Sequence, residues 1–381
     1  QPSEISEAAR VLLSATTPVI HAGQGCLYAE AWNELQEIAQ LLQSPVMTTT
    51  PGKSSFPENN PLSLGAATGV YPGPVHHFFK KADLVFGIGS SLTRTRYGLT
   101  IPPGKTMVHS TDNPADINKD YKADYALIGD SKLVLTMLIE EIKRQTNGSG
   151  HIGKRNVVPE VQAIKKEWLN KWMPQLTSNE NPINQYRIIW DLMNTVDRFN
   201  TIITHEAGSP RNQLVPFWET VAPRTYIGWG KSTQLGYSLG LVMGAKLAEP
   251  DKLCINIMGD AAIGMVGMDI NTAVRNKIGI LTIVFNNGVM AMERKYMPYG
   301  SEAYETILQG GDYAKVAEGL GAWSTQVNAP DEFVPALRNA IKVTQSGQPA
   351  LLDCIVKEGY DFSTYGSADA YLSTNQGTKT P

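Results

Sequence analysis

The sequence predicts an α/β protein of two domains, each built on a mostly parallel sheet flanked by helices. Three observations carry this expectation. Short apolar runs bounded by turn residues alternate with helical patterns up to about residue 145, as expected of parallel strands joined by crossover helices. A polar stretch, Arg144-Gln145-Thr146-Asn147-Gly148-Ser149-Gly150, then breaks the pattern and reads as a linker. A second alternating block opens at Ile183. A length of 381 residues suits two or three domains of about 150 residues.

In chain order, residues 4–14 have a helical pattern and lead into a β-rich run at 18–21, closed by Gly23. A helix is expected at 29–42 and a strand at 45–50. Residues 82–89 (ADLVFGIG) and 106–112 read as buried strands, and 125–130 precedes a helix at 132–143. The expected boundaries are therefore a first domain at 1–145 and a linker with a charged helix at 146–182, the helix covering about 159–172. A second domain follows at 183–360, with strands at 201–205, 253–258, 281–285 and 350–356. Residues 361–381 are rich in Ser, Thr and Gly and read as a flexible tail.

Composition narrows the function. Charged residues make up 18%, against about 25% in ordinary soluble proteins, so surface buried against other chains is expected. The net charge of −3 lacks the basic excess of a phosphate-tracking nucleic-acid binder. Apolar runs such as residues 280–285 are far too short to cross a bilayer. Cys26, Cys254 and Cys354 are far apart in apolar stretches and read as buried thiols, which points to a reducing, cytoplasmic compartment. The N-terminus has no signal-peptide pattern and no initiator Met, so the chain reads as a processed or trimmed product.

The most informative segment is 253–293, LCINIMGDAAIGMVGMDINTAVRNKIGILTIVFNNGVMAME. An apolar strand runs into Gly259-Asp260-Ala261-Ala262, and a second one ends in Asn286-Asn287-Gly288. Asp260 and Asn287 thus lie past the C-terminal ends of strands in one parallel sheet, where open α/β sheets bind ligands. A carboxylate and an amide oxygen are hard donors suited to Mg²⁺ with phosphates in its remaining positions. Small residues at 261 and 262 let backbone N–H groups approach those phosphates. Asn286 suits a different task, bracing the turn.

These residues resemble the cofactor signature of thiamine-diphosphate enzymes: here GDA, 24 intervening residues (262–285), then NN. Ala261 departs from the stricter GDG form. The resemblance implies two Rossmann-like domains, the middle domain and the diphosphate-binding domain of that family, with thiamine diphosphate and Mg²⁺ as cofactors. It implies metal ligands at Asp260, Asn287 and the carbonyl of Val289. Residues 204–209 (THEAGS) are similar to a phosphate-binding segment, which makes Gly208 and Ser209 cofactor residues. Residues 230–240 (GKSTQLGYSLG) resemble the segment under the pyrimidine, with Leu235 wedged between the two rings and the Thr233 carbonyl receiving the aminopyrimidine. Glu293 falls where some decarboxylases of the superfamily hold a substrate-side glutamate, and Met290, Met292 and Tyr296 would line an apolar substrate pocket.

The first block resembles the middle domain of the acetolactate synthase, oxalyl-CoA decarboxylase and 2-hydroxyacyl-CoA lyase group, so the likeness runs from about residue 4 to about 360. Some members hold FAD or ADP there. Gly23-Gln24-Gly25 and Gly87-Ile88-Gly89-Ser90-Ser91 would approach such a nucleotide, with Arg94 or Arg96 on its phosphates. His76-His77 has no third metal ligand and reads as structural. A complete family member has a further, pyrimidine-binding domain that carries the glutamate activating the cofactor. Its absence here implies a large subunit of a hetero-oligomeric enzyme completed by a pyrimidine-domain subunit, or a fragment of a longer chain. The implied activity is that of a lyase, carboligase or decarboxylase on a 2-oxo acid, a 2-hydroxyketone or a 2-hydroxyacyl-CoA. Two other classes fit the sequence less well. An NAD-type dehydrogenase fails because the third glycine position of its fingerprint holds Tyr28. A non-catalytic, nucleotide-binding regulatory subunit would have no use for Asp260, Asn287 and Leu235.

Overall fold

The structure is a computed structural model, and it describes residues 1–95, 98–229, 234–295, 297–359 and 361–364. Arg96, Thr233, Tyr296 and all but the first residues of the expected tail lie outside the described residues.

Two six-stranded sheets form, and every strand pair in them is parallel. The first contains β1 (Pro18–Ala22), β2 (Val46–Thr49), β3 (Ser63–Ala67), β4 (Leu84–Ile88), β5 (Thr106–Thr111) and β6 (Tyr125–Ile128), in the order β3-β2-β1-β4-β5-β6. The second contains β7 (Thr201–His205), β8 (Tyr226–Ile227), β9 (Leu253–Gly259), β10 (Leu281–Asn286), β11 (Trp323–Val327) and β12 (Ala350–Ile355), in the order β11-β12-β10-β9-β7-β8. The central strands are buried along their length because helices cover both faces, which is why they read as unbroken apolar runs. Three strands escaped the sequence reading: β3, β8 and β11. All three stand at sheet edges. β11 is only half buried, β8 is two residues long, and β3 (SLGAA) is built of small residues.

In each sheet the chain winds outward from a central strand in both directions, leaving a crevice at the C-terminal strand ends where the winding reverses. It falls between β1 and β4 in the first sheet and between β7 and β9 in the second. The expected linker contains a long helix, Val158–Leu176, that lies against both domains: its Trp168 ring stacks on Phe217 with centroids 4.9 Å apart. The domains also meet through a buried ion pair, Lys53–Glu58 at 2.6 Å. Lys53 Nζ donates to the Val215 carbonyl, and Thr220 N–H donates to Glu58. At the start of the expected tail, Ser363 is buried, accepts from Trp168 Nε1 and donates to the Tyr71 carbonyl. His76 and His77 lie on the helix Gly73–Lys81, and His77 contacts Glu160 at 2.8 Å. All three cysteines are free and buried. Among the described residues, no helix is long and apolar enough to cross a membrane.

Candidate functional site

A cleft of about 530 Å³ opens over the β7–β9 crevice, within the range of sites that hold a small ligand. The turn after β7 forms one wall. There Gly208 adopts φ +76°, open to glycine and strained for other residues, and starts the helix Ser209–Phe217. The end of β9 forms the floor: Gly259 caps the helix Asp260–Val266, and Ala261 and Ala262 follow in its first turn. The strand end of β10 supplies the third side. Gly288, at φ +71°, reverses the chain so that Asn287 and Val289 face Asp260.

Asp260 is buried, 3% exposed, and burial pushes its carboxyl up. The backbone N–H groups of Ala261, Gly288, Asn287 and Val289 pull it back down. Ala261 N–H donates to Oδ1 at 2.8 Å, while Oδ2 has no hydrogen-bond partner in the protein. An orphaned carboxylate oxygen in a buried site is costly unless a cation satisfies it. Asn287 Oδ1 and the Val289 carbonyl complete a set of hard oxygen donors, although both already accept a local bond. Val289 N–H donates to the amide, and Ala291 N–H donates to the carbonyl. Lone pairs remain on each, so the residues present fit Mg²⁺. Asn286 is the brace the sequence reading expected, with Nδ2 donating to Asp353 Oδ1 at 3.0 Å and to the Gly311 carbonyl.

Of the other expected residues, Gly208, Ser209, Leu235, Gly259, Ala261, Ala262, Met292 and Glu293 all line this cleft together. Glu293 is half-buried on its wall, and desolvation pushes its carboxyl up. Met290 and Met292 line the same side, joined by Met297. Thr233 lies outside the described residues.

Several residues were not recognised from sequence. Glu206, within the 204–209 segment but given no role there, is fully buried. It accepts from Gly236 N–H, Ser238 N–H and Ser238 Oγ, pinning the start of the helix Tyr237–Ala248 and with it the turn carrying Leu235. Gln185, Arg211 and Gln213 also reach the cleft, and no local pattern marks them. In the first domain, a hollow of about 600 Å³ overlies the β1–β4 crevice and is lined by Gly23, Gly25, Ser90 and Asp112. Its two glycines serve loop packing: Gly23 N–H donates to Ile88 and Gly25 N–H to Gly89, and a Cβ on Gly23 would lie 2.2 Å from the Gly89 oxygen.

Two crevices on parallel sheets, one floored by an Asp–Asn oxygen set, fit a cofactor enzyme of the thiamine-diphosphate type that the sequence resembles. The comparisons agree. Residues 5–138 match "Thiamine pyrophosphate enzyme, central domain" and residues 206–354 match "Thiamine pyrophosphate enzyme, C-terminal TPP binding domain"; the chain belongs to this family. It is 28% identical over 366 residues to a probable acetolactate synthase large subunit of Methanococcus aeolicus. That match covers 92% of this chain and 60% of the relative. It is 26% identical to the putative thiamine pyrophosphate-containing protein YdaP of Bacillus subtilis, over 97% of this chain and 62% of that one. Acetolactate synthase isozyme 3 large subunit of Escherichia coli is 24% identical, over 93% and 62%. The chain therefore spans about three-fifths of the length of the curated relatives it matches.

Proposed function

We propose that this chain holds thiamine diphosphate through Mg²⁺ bound by Asp260, Asn287 and the Val289 carbonyl, and that it makes or breaks a C–C bond beside a carbonyl. The substrate class is a 2-oxo acid, a 2-hydroxyketone or a 2-hydroxyacyl thioester. The observation that carries this reading is the buried, partnerless Asp260 Oδ2 facing the Asn287 turn. When bound, the cofactor supplies the electron sink for the C–C step. The chain's own residues bind and orient. Gly208 and Ser209 flank the diphosphate, Leu235 sets the angle between the rings, and the methionine wall excludes water. Glu293, its carboxyl raised by burial, stands on the substrate side, where it can exchange a proton with the substrate.

In the family the activating glutamate belongs to a pyrimidine-side domain; we propose that a separate subunit of a cytoplasmic hetero-oligomer supplies it, although further length of the same chain would serve the same chemistry. Exposed apolar side chains on the helices that start at the cleft support a partner of this kind: Tyr237 and Leu247 on one, Met265 on the other and Met268 just after it, with Gly240, Gly244 and Gly264 open to an added side chain. For the hollow in the first domain we propose FAD or ADP, with the phosphates at Ser90 and Ser91 and with Arg94, held over the Tyr121 ring of the wall, beside them, since the glycine N–H groups are taken.

Titration with thiamine diphosphate, with the partner chain present, tests the reading. Binding should require Mg²⁺, and Asp260→Asn should weaken it about a hundredfold by removing the metal's one anionic protein ligand. Wild-type affinity in Asp260→Asn, or no Mg²⁺ dependence, overturns it. Nucleotide binding without any response to thiamine diphosphate favours a regulatory subunit instead.

A further inference from the structure

Apart from the cleft, a smaller hollow of about 190 Å³ lies at the junction of the two domains and the connecting helix. Its apolar walls come from all three parts: Leu64 of the first domain, Trp168 and Leu169 of the helix, and Trp190 and Phe217 of the second domain. Its polar side is unbalanced. Lys165 Nζ lies 2.6 Å from Glu219 Oε1, and Arg198 Nη1 lies 3.2 Å from Glu219 Oε2. The other carboxylate on the wall, Glu58, is taken by buried Lys53. Two cations thus share one carboxylate; Lys165 also donates to the Glu58 carbonyl and Arg198 to the Glu219 carbonyl, and each side chain remains more than a quarter exposed. Burial pushes the Glu219 carboxyl up, and the two cations more than reverse that. A second anion between Lys165 and Arg198 would restore the balance.

Size and wall chemistry limit what that anion is. The hollow is smaller than the roughly 300–1,000 Å³ of drug-sized sites. Trp168 and Phe217 stack on each other, so the wall offers their rims together with Trp190, Leu64 and Leu169, an apolar surface that suits an aromatic body. A bare inorganic anion would leave that wall unfilled, and a cation would be repelled.

We propose that this hollow binds a small aromatic monocarboxylate, its carboxylate between Lys165 and Arg198 and its ring against Trp168, Trp190 and Phe217. Phe217 is the last residue of the helix whose first residue, Ser209, lines the cofactor cleft about 12 Å away, at 1.5 Å per residue. The site is therefore separate from the cleft but joined to it by one rigid element, which suits an effector.

The test uses the full chain and three probes. Benzoate carries ring and charge, benzamide the ring alone, and acetate the charge alone. Benzoate should bind saturably by calorimetry and raise the unfolding temperature, with benzamide and acetate at least tenfold weaker. Arg198→Gln should weaken benzoate at least tenfold. Asn194→Trp fills the mouth from an exposed position. It should abolish binding and leave the ligand-free unfolding temperature unchanged, so loss of binding is separated from loss of fold. Benzamide binding as well as benzoate, no benzoate binding at all, or wild-type affinity in both variants would overturn the proposal.

Discussion

His205 shows how far the interior is closed to charge. Its ring is fully buried between Trp229 and Tyr226, Nδ1 lies 3.0 Å from the Glu206 carbonyl, and Nε2 has no partner. Desolvation drives its pKa down to about 3. In the unfolded chain the imidazole takes up a proton near pH 6.5. Between those values the unfolded state binds more protons, so stability falls as pH falls. This one group contributes about 3 kcal/mol to the loss between pH 7 and pH 4. His205→Phe keeps the ring and removes the titration. Urea unfolding at pH 7, 5.5 and 4 should give a shallower pH slope for the variant, and equal slopes would refute a neutral buried His205. His21 is buried in the same way, with a pKa lowered to about 4 by desolvation, and adds a second contribution of the same sign.

The helix Tyr237–Ala248 depends on an acceptor from another strand. It has no capping side chain of its own, and Gly236 precedes it at φ +89°, with Val266 only 2.4 Å from where a Cβ would stand. Glu206, just beyond β7, supplies the missing acceptor with both carboxylate oxygens. Glu206→Gln keeps one acceptor and leaves one of the helix's first N–H groups unsatisfied. We expect a loss of about 1–3 kcal/mol in urea unfolding. Thiamine diphosphate affinity should also fall, about tenfold, because the same turn carries Leu235. A stability loss with unchanged affinity would show that Leu235 is placed by something else. The thiamine-diphosphate reading itself would survive that result, since it stands on Asp260.

The two domains are held together by charge as well as by packing. Lys53 and Glu58 come from one domain, yet their remaining bonds go to Val215 and Thr220 of the other. Burial lowers the Lys53 pKa, and Glu58 opposes that shift. Lys53→Met strands a buried carboxylate and should lower unfolding stability by about 3–5 kcal/mol in guanidinium. The double variant Lys53→Met, Glu58→Leu should recover much of that loss, because two apolar groups need no charge partner. Failure of the double variant to recover would mean that the Thr220 bond, and not the ion pair, dominates the junction.

How much of this was readable before folding follows from where each interaction lies along the chain. The buried central strands could be read directly, because covering both faces of a parallel sheet demands an apolar run in consecutive residues. Asp260 and Asn287 could be read as a pair, because each ends such a run and adjacent parallel strands bring their tips together. Edge strands such as β11 face water on part of their surface and so carry no run to recognise. The partners that tune the site were illegible for a further reason. Glu206 serves residues about thirty positions away, Lys53 answers to residue 215, and the hollow between the domains draws on residues 58 to 219. Local chemistry therefore dictated the strands and their turns. Which side chains meet across long separations was settled only when the whole chain packed, since a contact between distant residues leaves no periodic mark in either segment.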